Sequence, residues 1–232
     1  QIKSVEPIPR DDKGNVIPLS ERFDEVEEDI RFQAQERDTE YAKAVESEDT
    51  EAQQKLVDEA AKAAGYNVGP VYHGTRSQFT EFDVQRSGES SLTASDNMLH
   101  FTSDKDYAAI YASQDMSGKN PVRIIAAHLD IDNPLKFDIR NVESIREQGF
   151  DIDPKRHSVD TFYDDNMDLM DDALFLAEAM SIVITDGKNT HYIIPDPIQI
   201  KSAEPITRDD KGNVIPLSER FDDVEEDFRF MA

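Results

Sequence analysis

The sequence predicts an α+β protein in which helices come first and a mostly antiparallel sheet with inserted helices follows. Three observations lead there. Two helical patterns, Glu36–Val45 and Asp49–Ala64, precede any strand pattern. Period-two stretches then recur. The clearest is Val122–Ile131, where Val122, Ile124, Ala126, His128 and Asp130 alternate with Ile125, Ala127, Leu129 and Ile131. Near the end, Ser181–Thr185 and His191–Pro195 bracket Asp186-Gly187-Lys188-Asn189, a loop of hairpin type.

Each element has its local reasons. In the second helix Asp49 or Thr50 can cap the first turn. Leu56, Val57, Ala60, Ala63 and Ala64 form one face, and Gly65 supplies the stop. That face is rich in alanine, so the helical pair must pack on a larger body. Val71–His73 and Met98–Thr102 read as short strands. Ser103 or Asp104 caps a helix running to Ala112, with Ala108, Tyr111 and Ala112 facing inward. Pro134 ends the Val122–Ile131 region, and Leu135–Phe137 is expected to pair with it. Asn141–Gln148 and Val159–Met180 read as helices, and Ile198–Ile200 as a further strand.

Composition removes several function classes. The 232 residues hold 25 Lys+Arg against 50 Asp+Glu, a formal net charge of −25. Such a surface repels phosphate backbones, which argues against broad binding to DNA or RNA. Cysteine is absent, so disulfide scaffolds, zinc–thiolate sites, iron–sulfur clusters and cysteine nucleophiles are excluded. No apolar run is long enough to cross a bilayer, and no basic stretch followed by an apolar one opens the sequence. Walker loops, Rossmann glycine motifs and Gly-x-Ser-x-Gly elbows are also missing.

An internal repeat marks the domain edges. Gln1–Phe32 and Gln199–Phe230 match at 28 of 32 positions, 198 residues apart. Solenoid repeats run about 20–50 residues, so this spacing suits whole domains in tandem. Together with the opening Gln1, it reads as a piece of a longer chain. Residues 1–33 are then the tail of a preceding unit, 34–66 a helical lead-in, 67–202 the main domain, and 203–232 this unit's acidic tail. The bland alternative is a duplicated linker. Within the repeat, Asp209-Asp210-Lys211-Gly212-Asn213 is a turn cluster, Ser218 can cap a short turn, and the acidic run Asp222–Asp227 is expected to be poorly ordered.

Three short features carry potential chemistry: Tyr72-His73-Gly74-Thr75, then Leu99-His100-Phe101-Thr102 leading to Ala108 and Tyr111, and Ile198-Gln199. A histidine before glycine sets a polar ring beside backbone that a flat ligand can approach. An aromatic-lined helix after a strand offers a stacking surface. Gln199 brings one donor and one acceptor to an opposite wall. Taken singly, His73-Gly74-Thr75 is more often a turn, Tyr111 more often core, and His100 a half-buried strand residue.

In this order the features resemble ADP-ribosyltransferases of the His-Tyr-Glu class, which includes poly(ADP-ribose) polymerases and diphtheria toxin. More closely, the chain resembles the ADP-ribosyltransferase-like domain of polyvalent proteins from phages and mobile elements. That resemblance runs from about Glu36 to the end and is carried by VYHGT, LHFTSDKDYAAIYA and YIIPDPIQIKS; residues 113–179 match little. It implies a split, mostly antiparallel sheet and NAD as co-substrate. His73 would bond a ribose hydroxyl, Gly74 backbone would hold the nicotinamide amide, and Tyr111 would stack on the ring. Thr75 and Phe101 would complete the NAD-binding set. His100 stands where the class has its motif tyrosine, and Gln199 where it has glutamate. The resemblance further implies an acceptor that is a host protein, and a place of action in the host cytoplasm after delivery by a phage or mobile element.

The glutamate matters because cleaving the nicotinamide–ribose bond passes through an oxocarbenium-like state whose positive charge a carboxylate stabilises. Glutamine keeps the hydrogen bond and loses the charge, a cost of roughly 2–4 kcal/mol in a dry site. Mono-ADP-ribosylation tolerates that better than polymer elongation does. Glu204 is an alternative carboxylate, ranked lower because Pro205 follows. Asp164, Asp165, Asp168, Asp171 and Asp172 crowd one helix and read as a solvated face, since no glycine-punctuated calcium loop is present. His128, His157 and His191 lack partners at metal-ligand spacing. Two competing functions remain: a degenerate NAD- or ADP-ribose-binding module, and a small RNase-type toxin domain that the acidity disfavours.

Overall fold

The computed structural model describes residues 19–77, 79, 82–86, 97–114 and 120–221. The turn cluster of the first repeat copy and the acidic run Asp222–Asp227 lie outside them.

Two helices lead. α1 spans Leu19–Glu46 and α2 spans Thr50–Ala63. Asp49 caps α2 by accepting from Ala52 N–H, as the sequence suggests. The expected helix at 36–45 is the C-terminal part of the longer α1. Tyr41 of α1 and Val57, Ala60 and Ala61 of α2 bury a small core together with Leu217 and Phe221. The alanine face therefore does need a larger partner.

Seven strands follow among the described residues: β1 Val68–Thr75, β2 Leu99–Thr102, β3 Arg123–Leu129, β4 Leu135–Asp138, β5 Ile182–Thr185, β6 Thr190–Ile194 and β7 Ile200–Ser202. Their order is β4-β5-β6-β2-β1-β3-β7. All pairings are antiparallel except β4 with β5. The α+β class with a mostly antiparallel sheet stands. The halves of the sheet meet at β1 and β2, which share one registered pair, Tyr72↔Thr102. Neighbouring junctions are longer: β1–β3 registers six pairs and β2–β6 four. That narrow seam is where the split falls.

Four helices complete the fold: α3 Lys105–Gln114, α4 Val142–Glu147, α5 Val159–Leu176 and α6 Leu217–Phe221. Ser158 and Thr161 close a reciprocal capping box at the start of α5. Phe162, Met170 and Leu174 of α5 bury against Phe137, Ile182, Ile184 and Ile193 of the sheet. Val71, Leu99, Phe101, Ala127, Leu129 and Ile194 line the opposite sheet face, with Phe82 and Val84 packed on them.

Two strand expectations are corrected. Leu135–Phe137 pairs in parallel with β5, not with β3. The intervening α4 and α5 form a crossover, which permits a parallel neighbour. Ile198–Ile200 is not a strand throughout. Pro197–Gln199 makes one 3₁₀ turn, because Asp196 accepts from Ile198 N–H at 3.0 Å and Pro197 starts the turn. The ladder resumes only at Ile200.

β7 lies at an open edge, and Arg220 closes it. Its Nη2 donates to the Ser202 and Glu204 carbonyls at 2.8 and 2.9 Å. A capped edge no longer offers those carbonyls to another strand. Burial holds the Arg220 guanidinium below its usual range, while Tyr41 and Glu204 oppose that shift. Replacing Arg220 with Ala should lower unfolding free energy by about 1–2 kcal/mol, because two part-buried carbonyls lose a charged donor. Urea unfolding checks this; an unchanged midpoint would show that the edge is capped some other way.

Candidate functional site

The site grows from the β1–β2 seam. His73 Nδ1 lies 2.8 Å from the His100 carbonyl oxygen. A carbonyl only accepts, so Nδ1 carries the proton and Nε2 keeps its lone pair in the neutral ring. A side chain thus ties the two strands where backbone pairing is thin. Burial lowers the His73 pKa, and the bond to the His100 carbonyl only partly opposes it. The ring is therefore neutral at pH 7. It sits among Phe79, Phe82 and Phe101, with centroids at 6.3, 5.4 and 5.6 Å.

Gly74 has a packing reason to be glycine. A Cβ built there would fall 1.8 Å from the Ala108 carbonyl oxygen of α3. The missing side chain is the space into which α3 settles, and β1 and α3 are held at close range by it. Thr75 is buried, and its hydroxyl accepts from Ser77 N–H at 3.0 Å.

Strand pleating sorts the remaining residues. Residues paired directly across strands point to the same face. His73 and Phe101 share one face. His100 points to the other, against Tyr163 at 5.3 Å. Tyr111 belongs to α3 on that second side. Its ring is 5.5 Å from Tyr107 and 6.5 Å from His191. Tyr111 remains 44% exposed, enough to meet a ligand. Its phenol is pushed up to about 12, first by desolvation and then by the Asp164 carboxylate, so it stays protonated and uncharged.

The structure adds residues that the sequence reading passed over. His191 of β6 stands opposite Thr102 of β2. Its Nδ1 lies 2.8 Å from Asp160 Oδ1, close but not aligned as a hydrogen bond. Its Nε2 is buried with no partner. Tyr107 hydroxyl donates to Asp160 Oδ2. Asp160 comes from the first turn of α5, and its side chain is only 16% exposed. The five aspartates read as a solvated face, Asp164, Asp165, Asp168, Asp171 and Asp172, are all exposed, with Asp165 bonding Arg156 and His157. Asp160, outside that set, turns to the sheet. The signal available in the sequence was Asp160 two residues after the Ser158 cap, the one acid set at the start of the helix.

Gln199 is not brought to His73. It is 5% exposed, and its Nε2 donates to the Asp130 carbonyl at 2.9 Å. Asp130 N–H returns a bond to the Gln199 carbonyl at 2.9 Å. His73 pairs with Ile125, five residues back along β3. Five strand residues are about 17 Å, too far for both side chains to hold one nicotinamide ribose. Gln199 is a fastener between β3 and β7. The same register carries Glu204 to the level of His73, because Ala203 N–H still donates to the Ala126 carbonyl. Two strand spacings, about 10 Å, then separate their backbones. Glu204 is exposed.

The second set of residues is therefore a neutral tyrosine shelf over a buried His–Asp–Tyr cluster. The first is a neutral histidine with a free lone pair. Both border the β1–β2 seam. Among the described residues, no group of three acidic or histidine side chains is placed to hold a metal ion, and no helix is long and apolar enough to cross a membrane.

Two outcomes follow. Gly74→Ala should destabilise by about 1–3 kcal/mol through displacement of α3, and heat denaturation reads it directly. His73 and His128 both have pKa values lowered by burial. Their unfolded forms take up protons near pH 6.5 while the folded forms do not. Stability should accordingly decline as pH falls from about 7.5 through the unfolded value of about 6.5 towards the depressed folded values. His73→Gln should flatten that slope in urea titrations; an identical slope would place the titrating group elsewhere.

Comparison with known proteins agrees with this architecture. A family model described as ADP-ribosyltransferase in polyvalent proteins matches residues 65–207. No curated protein and no solved structure matches the chain. The matched stretch begins just before β1 and closes just after β7, so it contains the seam, α3, α5 and every strand of the sheet, and the chain belongs to the family of ADP-ribosyltransferases found in polyvalent proteins.

Proposed function

We propose that the protein binds NAD at the β1–β2 seam and transfers single ADP-ribose units to a host protein. The observation that supports this best is the His73–His100 carbonyl bond, which leaves a neutral imidazole with a free Nε2 lone pair beside the seam. That lone pair accepts a ribose hydroxyl proton. Tyr111 and His100 lie on the opposite face of the sheet from His73, so they flank the nicotinamide ring only if the ligand crosses the seam where a single residue pair closes it. The backbone at Gly74 and Thr75 binds its amide. Phe101 backs the pocket behind His73.

Asp160 lies on the Tyr111 face of the sheet, opposite His73, and takes the carboxylate role that Gln199 cannot fill for a ligand that crosses the seam. Charge stabilisation of an oxocarbenium-like state needs a negative group held where water is scarce. Asp160 is largely buried, lies in the cluster next to Tyr111, and is held by Tyr107 and His191. Glu204 is exposed, so solvent screens it more strongly. His191 beside Asp160 supplies a base within reach of the same carboxylate. The close His191 contact also spends part of the Asp160 charge, and this favours a second reading: a module that binds NAD without turning it over.

Incubation with NAD should release nicotinamide and label protein. His73→Ala and Asp160→Asn should each reduce the rate at least about 100-fold. Gln199→Ala should leave the rate within a few-fold while lowering the melting temperature. A thermal shift with NAD but no nicotinamide release would support the binding module. Neither a shift nor release would remove both readings.

A further inference from the structure

The repeated segment has a seat in this fold. Its second copy runs along β7 and ends in α6. Leu217 and Phe221 of α6 are buried against Tyr41, Val57, Ala60 and Ala61. Ser218 donates from N–H and Oγ to the two Asp38 carboxylate oxygens at 3.0 and 2.5 Å. Tyr41 hydroxyl donates to the Pro205 carbonyl at 2.7 Å. With the Arg220 contacts at the β7 edge, the segment works as a plug in a socket made by α1, α2 and β3.

Residues 1–23 repeat residues 199–221 with two differences, Val5 for Ala203 and Pro9 for Thr207. Leu217, Ser218, Arg220 and Phe221 have identical counterparts in Leu19, Ser20, Arg22 and Phe23. The differences are compatible with docking. Ala203 contributes its N–H to β3, which valine retains, but it is buried, so the first copy must fit two more methyl groups there and docks less tightly than the second. Thr207 contributes its carbonyl to Ile215 N–H, which proline retains, and the Thr207 hydroxyl is buried without a partner. The first copy carries four positive and four negative residues (Lys3, Arg10, Lys13, Arg22; Glu6, Asp11, Asp12, Glu21). A neutral plug can approach another strongly acidic molecule without repulsion.

The first copy cannot use the socket of its own chain. Leu19–Phe23 is the beginning of α1, and Asp38 and Tyr41 of the socket are further along that same helix. Eighteen helical residues, about 27 Å, separate Ser20 from Asp38. We propose that residues 1–23 are a second plug, seated in the α1–α2–β3 socket of a second copy of this chain in exchange for that copy's own 199–221 segment. The exchange is head-to-tail: the first plug of each molecule enters the socket of the next. It is independent of NAD chemistry.

The test uses the full chain. L217D/F221D disables the resident plug and leaves the first copy intact. Light scattering should show a concentration-dependent dimer or larger species for this variant. Adding L19D/F23D should return it to monomer. A monomer at every concentration in the folded L217D/F221D variant, or association that survives L19D/F23D, would overturn the proposal. The chain has no cysteine, so S20C/D38C gives a second measurement that keeps the apolar residues of both plugs and of the socket and exchanges only the Ser–Asp contact. Oxidation should yield disulfide-linked dimers, and these should be lost when L19D/F23D is added. No linked dimer, or linkage indifferent to L19D/F23D, would equally reject it.

Discussion

One bond holds the two halves of the sheet at their narrowest point. At the β1–β2 seam a histidine side chain, and not a further backbone pair, meets the His100 carbonyl. Much follows from that substitution. The bond selects the ring tautomer, and burial keeps the ring neutral. The thin ladder leaves room beside it. One step along, Gly74 lets α3 descend onto β1, which sets Tyr111 at the rim of the same seam. The motif His-Gly is thus one mechanical device: the histidine closes the seam, and the glycine admits the helix that overlooks it.

The polar cluster beyond the seam shows how an inserted helix can remake a site. α5 packs on β5 and β6 through Phe162, Met170 and Leu174. That packing delivers Asp160 to His191 and Tyr107. Polar contacts in such a setting are strong because little water screens them, and costly because three polar groups are desolvated together. The fold tolerates this cost at a place where a charge-stabilising group is useful. On the far side of the sheet, Gln199 and Arg220 serve the ladder itself, one fastening β7 to β3 and the other covering the free edge.

The repeat belongs to the same body and not to a separate linker in its second copy. β7 and α6 complete the sheet edge and the small helical core. This explains why a charged, turn-rich segment keeps Leu, Arg and Phe at fixed spacing. Its charged turn is closed by Asp209, which accepts from Lys211 and Asn213 N–H. The apolar residues supply burial, and the turn supplies direction.

Local rules made much of this protein readable. The α+β order, the Asp49 cap, the Asp186–Asn189 hairpin and the His73-Gly74 and Tyr111 motifs depend on neighbours a few residues away, and sequence alone determined them. Pairing partner and register do not depend on neighbours. A single 3₁₀ turn at Pro197–Gln199 decides where β7 begins, and with it whether Gln199 or Glu204 stands level with His73. The crossover through α4 and α5 decides that β4 runs parallel to β5, and α5 packing decides which aspartate leaves solvent. A side chain's chemical role rests on what lies across the strand or beneath the helix, and only the assembled sheet settles that distance.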